Sequence, residues 1–235
     1  MSIAEALESI EERIQKACNR AGRKREGIRL MAVSKFQSPA KIAEAWKAGI
    51  RLFGENRVQE AAEKFPPPGP DSVPLRPFPG PCEVHLIGTL QRNKAKLAVR
   101  LFDCVQSIDR EEIIDELAKH TAGPLRVLLE LHTGEASKSG FPGEESLFRA
   151  AEKLLAIPAL PPAGLMTMAP LGVGEGEIRA SFRALLHAQG ALVSRFPQAD
   201  WSCLSMGMSG DFEIAVEEGS TLLRIGTALF GERRL

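Results

Sequence analysis

The stretch "IRLMAVSKF", Ile28 to Phe36, is a run of mostly apolar residues that closes on a lysine. Taken alone, Lys35 marks the place where a strand reaches water, because lysines are almost always exposed. Two later segments change its meaning. "SMGMSGD", Ser205 to Asp211, sets two hydroxyls and two glycines just ahead of a helical pattern. The unpaired N–H groups of a helix start, together with its dipole, favour an anion there. "RIGT", Arg224 to Thr227, adds another glycine and hydroxyl on what reads as the next strand. This is the make-up of a phosphate cup. A lysine beside an anchored phosphate has two common uses, as a point charge for anionic oxygens or as an amine that forms a Schiff base with an aldehyde. The second use needs the neutral amine, so the ordinary lysine pKa of about 10.4 must be lowered by burial or by a nearby cation. The apolar approach "LMAV", Leu30 to Val33, offers that burial.

The elements around these residues have to bring them together. Ser2 and Glu5 have capping-box spacing, and Ile3, Leu7, Ile10, Ile14, Ala17 and Ala21 follow at helical intervals, so the chain opens with an amphipathic helix over residues 1–22. Short β-rich runs then alternate with helical segments. "IRLMAVSK" precedes a helix at Pro39 to Ala48, "RLFGEN" one at Arg57 to Lys64, and "EVHLIG" one at Asn93 to Leu101. "CVQSID" precedes Arg110 to His120, "RVLLELHT" precedes Glu144 to Ala156, and "AGLMTM" precedes Glu177 to Phe196. "WSCLSMG" before Phe212 to Glu218, and a final run "LLRIGTALF", complete eight strand candidates.

Strands alternating with helices call for a parallel sheet, and eight of them predict a single-domain α/β barrel of the TIM-like (β/α)8 kind over residues 1–235. An open doubly wound sheet is the competitor, but "GVGEGE" at Gly172 lacks the Gly-x-Gly-x-x-Gly spacing after a strand and reads as a loop. In parallel barrels the active site lies where strands finish, and the loops after strands seven and eight are the usual phosphate position. Barrel closure makes strand eight the neighbour of strand one, which carries Lys35 to the cup. Other strand ends supply Glu55, Asn56, Gly88, Ser107, Asp109 and Thr167, with His85 inside strand three. The segment from Pro66 to Pro81 cannot hold a helix, since proline removes donors and blocks the preceding turn, so residues 66–82 read as a long surface loop.

Composition narrows the function. With 30 basic and 30 acidic side chains, the charge balance removes the footprint expected of a protein that tracks nucleic acid or an anionic membrane. The four cysteines, Cys18, Cys82, Cys104 and Cys203, have neither zinc-ligand nor disulfide-framework spacing, which fits a reducing cytoplasm. No signal-peptide pattern opens the sequence and nowhere do about eighteen apolar residues run together, so neither export nor a membrane span is expected. There is no tyrosine at all.

"AVSK", "FGENRVQE", "HLIGTLQRNK", "SKSGF", "GLMTM" and "LSMGMSGDFEIAVEEGSTLLRIGTALFG" together resemble the pyridoxal phosphate homeostasis proteins, over nearly the whole chain from Leu30 to Gly231. The resemblance implies a fold-type III barrel, like the N-terminal domain of alanine racemase, with pyridoxal 5'-phosphate bound to Lys35 as an aldimine. It further implies that Asn56 approaches the ring face or its hydroxyl, that Ser209, Gly226 and Thr227 hold the phosphate, and that Arg224 faces the pyridine nitrogen. His85, Met166 and Ser205 are expected to line the pocket. Two features depart from the family pattern: Arg57 stands where many relatives carry an aromatic residue, and the proline-rich loop is longer.

Three functions compete: a carrier that buffers or delivers the cofactor, an amino-acid racemase, and a phosphate-binding barrel with no cofactor. Arginine has no acceptor, so Arg224 beside the ring nitrogen would require that nitrogen to stay unprotonated, which weakens the ring as an electron sink. A two-base racemase also needs a base on each face of the amino acid, and in related racemases the second is a tyrosine, which this chain lacks. The expectation is therefore a non-catalytic carrier, a monomer in the cytoplasm, with the cofactor and the apo forms of enzymes that use it as partners.

Overall fold

The computed structural model describes residues 2–66, 78, 80–134 and 139–232. Helix α1, Ile3–Ala21, starts on a complete capping box in which the Ser2 hydroxyl accepts the Glu5 N–H and the Glu5 carboxylate accepts the Ser2 N–H. Its buried stripe is Ile3, Ala6, Ile10, Ile14, Ala17 and Cys18, so Leu7 and Ala21, expected on that face, stand at its margin. A 3-10 turn at Arg25–Gly27 leads into β1, Arg29–Val33.

From there strands and helices alternate: α2 Pro39–Lys47, β2 Leu52–Glu55, α3 Val58–Lys64, β3 Glu83–Leu86, α4 Ala95–Leu101, β4 Cys104–Ile108 and α5 Glu111–Ala118. The series continues with β5 Arg126–Glu130, α6 Glu144–Leu155, β6 Pro162–Met166, α7 Glu175–Arg195, β7 Cys203–Ser205, α8 Phe212–Glu217, β8 Leu222–Ile225 and α9 Thr227–Phe230. The strands form a closed parallel barrel in sequence order, and β8 returns to β1 in a register running from Arg29↔Leu222 to Ala32↔Ile225. This is the expected (β/α)8 architecture. Because side chains alternate along a strand, Ala32, Phe53, Val84 and Leu129 face outward into the main core under the helices. Met31, Leu52 and Leu222 meet inside the barrel, as do Cys104, Leu128 and Met166.

Most helix boundaries shift from the expectation by one or two residues, and two of the differences lie at the site. Strand β1 stops at Val33, and Lys35 stands in the turn beyond it, where the Gln37 N–H bonds to the Ser34 carbonyl. The final run splits into β8 and the short helix α9, so Gly226 and Thr227 lie past the strand rather than on it. Most of the proline-rich loop lies outside the described residues.

Candidate functional site

The turn that carries Lys35 is fastened from below by α3. Lys64 is nearly buried, with 8% of its side chain exposed. Its Nζ donates to the Ser34 carbonyl at 2.6 Å, to Glu60 Oε1 at 2.6 Å and to Glu55 Oε1 at 3.1 Å. The Ser34 hydroxyl donates to the same Glu55 oxygen at 2.7 Å, and the Phe36 N–H donates to Glu60 Oε1. Residues on both sides of Lys35 are thus tied to one buried charge cluster, and Phe36 takes a left-handed φ of 62° between those ties. Burial pushes the Glu55 carboxyl above its ordinary range, against the pull of Ser34 and Lys64. Glu55 Oε2 and, at the next residue, Asn56 Oδ1 are buried with no hydrogen-bond partner among the described residues. The ends of β2 and β3 close tightly here, since a Cβ on Gly88 would fall 2.3 Å from the Asn56 carbonyl oxygen.

Beside this turn lies the junction of β8 and α9. The N–H groups of Gly226 and Ala228 converge on one point, where the Ser209 hydroxyl accepts them at 3.3 and 3.1 Å. Gly226 abuts the end of β1, because a Cβ built on it would meet the Val33 Cβ at 3.5 Å. The loop holding Ser209 is shaped by Gly207, at φ 95°, where a Cβ would fall 2.5 Å from that of Ala215. Asp211 fixes its far side by accepting the Met208 N–H. A point on which backbone donors and a hydroxyl converge has the chemistry to hold a phosphate oxygen.

Arg224 occupies the barrel interior with 3% of its surface exposed. Its Nη1 donates to the Ser205 carbonyl at 2.7 Å and the Ser205 hydroxyl at 2.8 Å, and its Nη2 donates to the Thr167 carbonyl at 2.8 Å. Among the described residues no carboxylate forms a direct ion pair with it. Burial pushes its pKa down to about 10, opposed by the nearby charges of Asp211 and Glu130. Glu130 is also buried and accepts from the Ser139 hydroxyl at 3.1 Å, and desolvation raises its pKa.

The structure therefore sets Lys35 and Asn56 at the ends of β1 and β2, and Ser209, Gly226 and Thr227 beside them. Strand register puts Met166 level with Ser205 and Glu130. His85 is placed elsewhere. Its Nε2 pairs with Glu83 at 3.1 Å and its Nδ1 meets Gln106 at 2.8 Å, so both ring nitrogens are engaged. The ring lines a cavity at the N-terminal mouth with Arg29, Cys104, Arg126 and Cys203, and it reaches Ser205 only through Gln106. The expectation that His85 lines the same pocket as Lys35 is corrected by this orientation.

Sequence reasoning missed Glu130, Lys64 and Gln106. Glu130 carried a usable signal, because it ends an apolar strand as Lys35 nearly does. Lys64 carried none, since a lysine four residues after Glu60 has the spacing of a surface helix pair. Among the described residues no helix is long and apolar enough to cross a membrane, and no group of three or more His, Cys, Asp or Glu side chains could hold a metal ion.

Residues 6–234 match the family of the alanine racemase N-terminal domain. The chain is 42% identical to the pyridoxal phosphate homeostasis protein of Vibrio cholerae, over 99% of this chain and 97% of that one. It is 38% identical to the protein of the same description from Aquifex aeolicus, with 100% of both chains covered. The solved structure of PipY from Synechococcus elongatus with PLP bound shares 34% identity at a TM-score of 0.81, covering 97% of this chain and 100% of that one. Alanine racemase from E. faecalis shares the fold alone, at 18% identity and a TM-score of 0.68, and this chain spans 57% of it. Full-length identity at this level, on the same closed barrel, shows that the chain belongs to the pyridoxal phosphate homeostasis protein family.

Proposed function

We propose that this protein binds pyridoxal 5'-phosphate and acts as a carrier that buffers or delivers it, with Lys35 as the residue that holds the cofactor covalently. The observation that carries this reading is the contact of Gly226 with Val33, which sets the convergent N–H groups of Gly226 and Ala228 against the end of the strand leading to Lys35. With an anion anchored there, Lys35 and the buried guanidinium of Arg224 would be the residues that hold its attached ring. When bound, the cofactor supplies an aldehyde for amines and a ring that can withdraw electrons. The residues present fit it: Ser209, Gly226 and Thr227 for the phosphate, Asn56 for the ring face or hydroxyl, and Arg224 for the ring nitrogen, with Met166 and Ser205 in the wall. The Ser34, Glu55, Glu60 and Lys64 cluster holds the backbone on both sides of Lys35, which orients its amine.

Arg224 offers only donors, so it would keep the ring nitrogen accepting and unprotonated. That disfavours reactions needing a strong electron sink. A second base for racemisation would have to come within about 2.6–3.2 Å of the substrate proton or act through one water. His85, the nearest substitute by strand position, has both nitrogens engaged at the other end of the barrel. These placements favour a carrier over a racemase, and the receiving partners proposed are apo enzymes that use the cofactor, in the cytoplasm.

The test is an absorption spectrum of the purified protein before and after borohydride, followed by peptide mass mapping. A pyridoxyl group on the peptide containing Lys35 is expected. Label on Lys94 or Lys96 with Lys35 clean would overturn the assignment. Incubating the loaded protein with L-alanine in deuterated water separates the two functions, since D-alanine formed in many turnovers per protein would replace the carrier with an enzyme.

A further inference from the structure

A continuous chain of hydrogen bonds crosses the barrel. It runs from Arg224 at the C-terminal side through Ser205 (2.8 Å), Gln106 (2.7 Å) and His85 (2.8 Å) to Glu83 (3.1 Å) at the first residue of β3. Ser205 and Gln106 are fully buried and His85 almost so. Four strands, β8, β7, β4 and β3, contribute to it.

Elementary donor and acceptor chemistry fixes its direction. A guanidinium can only donate, so the Ser205 oxygen accepts from Arg224 and its proton must go to Gln106 Oε1. With that oxygen committed, Gln106 presents its NH2 to His85, and Nδ1 of the ring has to accept. The ring proton then sits on Nε2 and is donated to Glu83. The opposite amide orientation would leave the Ser205 proton with no acceptor in this chain. The carboxylate end is firmly anionic: its hydrogen bond to His85, then Arg126 and Arg29, hold Glu83 far below the usual carboxylate range. Arg126 Nη2 lies 2.6 Å and Arg29 Nη2 2.8 Å from its oxygens.

The lower half of this chain faces a cavity of about 480 Å³ at the N-terminal mouth, lined by His85 with Arg29, Arg126, Cys104, Cys203 and Asp200 among others. That mouth lies opposite the one that would receive the cofactor. We infer that Gln106 and His85 are positioning residues for Arg224, forming a polarised wire through which the N-terminal mouth sets how the guanidinium is held. The inference rests on the assignment of Arg224 to the cofactor ring for its functional meaning, but the wire exists in the protein without ligand.

The coupling works as follows. A proton taken from water in the mouth cavity can only join His85 at Nδ1, because Nε2 already bears one. The ring then becomes a donor toward Gln106, whose amide must turn over to accept. Its NH2 next faces Ser205, the Ser205 proton loses its acceptor, and the contact that orients Arg224 Nη1 is disturbed. The charged groups around His85 are Glu83 on its own strand, Arg29 on β1 and Arg126 on β5, with Glu26 and Asp200 in the cavity lining and the thiols of Cys104 and Cys203 on β4 and β7. Burial dominates among these influences and keeps the ring neutral. The wire is therefore set in one direction at neutral pH.

Protein labelled with 15N-histidine and 15N-arginine, free of cofactor, tests the wire directly. The wild type should show His85 as the neutral Nε2–H tautomer at neutral pH, with slow exchange of the Arg224 Nη protons. Gln106→Met should release the tautomer and speed Arg224 exchange by about tenfold. Gln106→Glu still accepts from Ser205, so it should keep Arg224 protected while His85, now between two carboxylates, becomes protonated at a higher pH than in the wild type. In loaded protein, Gln106→Met should shift the cofactor absorption band and Gln106→Glu should not. An Nδ1–H tautomer in the wild type, or unchanged Arg224 exchange in Gln106→Met, would overturn the inference. If the tautomer and exchange results hold while no cofactor band forms at all, the wire stands and the cofactor assignment fails.

Discussion

Replacing Lys64 by methionine tests whether the turn bearing Lys35 is held by electrostatics from beneath. Lys64→Met keeps the apolar stem and removes one ammonium that donates to Ser34, Glu55 and Glu60. Breaking a buried pair by removing one partner typically costs about 3–5 kcal/mol. Two features place this site at the lower end. Glu60 retains 17% side-chain exposure, so water can reach it, and Glu55, already displaced upward, can take a proton onto its unpartnered Oε2. A loss of about 3 kcal/mol at neutral pH is expected. The sign of its pH dependence follows from the raised Glu55. In the variant the folded state binds a proton at Glu55 that the unfolded chain releases, so folded protein holds more protons between the ordinary carboxylate range and the raised value. Its stability then rises as pH falls through that window, and the gap to the wild type narrows. Urea unfolding at neutral pH and at a mildly acidic pH measures both quantities, and Glu55→Gln in the Lys64→Met background should recover most of the loss. A deficit below about 1 kcal/mol, the ordinary worth of an exposed pair, or one that grows on acidification, would refute the buried clamp.

Three further outcomes are expected. Lys35→Ala should lose the covalent band yet retain cofactor by equilibrium dialysis, and adding Ser209→Ala or Thr227→Val should remove much of the remainder, since charge-assisted hydrogen bonds contribute roughly 1.5–3 kcal/mol each. Glu83 is held below its ordinary value of 4.5, so its contribution is present above that value and lost as pH falls below it. Glu83→Gln should accordingly flatten the acid side of the stability curve, read from thermal unfolding against pH. Ser2→Ala should lower stability by about 1 kcal/mol through loss of the α1 cap, measured by urea midpoint.

The barrel was legible because its strands and helices differ in period along the chain, and because Lys35, Ser209 and Arg224 stand at boundaries between them. Other facts depend on relations no local pattern records. "LLRIGTALF" is a short, mostly apolar run, and such a run reads equally as a strand or as strand plus helix by periodicity, so α9 was hidden. The alternation of Val84, His85 and Leu86 places His85 inside the barrel, but which mouth it faces is decided by Glu83 beneath it and Gln106 on the neighbouring strand. Lys64 is interior only because α3 docks over the ends of β1 and β2. Its neighbours in space, Ser34 and Glu55, are 30 and 9 positions away in sequence.

Helix α1 packs against α8 and α9, the last two helices of the chain. Arg13 pairs with Glu213 at 2.8 Å and Arg20 with Glu217 at 2.7 Å, while Arg23 Nη2 donates to the Ser220 carbonyl at 2.8 Å, across separations near 200 positions. Helix α1 is therefore made well before α8 and α9, and the part of its apolar stripe that they cover waits for them to emerge. Loop-closure entropy grows only as the logarithm of that distance, so the latch is thermodynamically affordable, but it is slow to find. Because α9 is both a partner of this latch and the start of the anion-binding turn, one wall of the proposed cofactor site is made in the same event that docks α1 on α8 and α9. A chain in which α1 has not docked on α9 would carry Lys35 just beyond its strand and yet lack a settled cup in which to seat a phosphate.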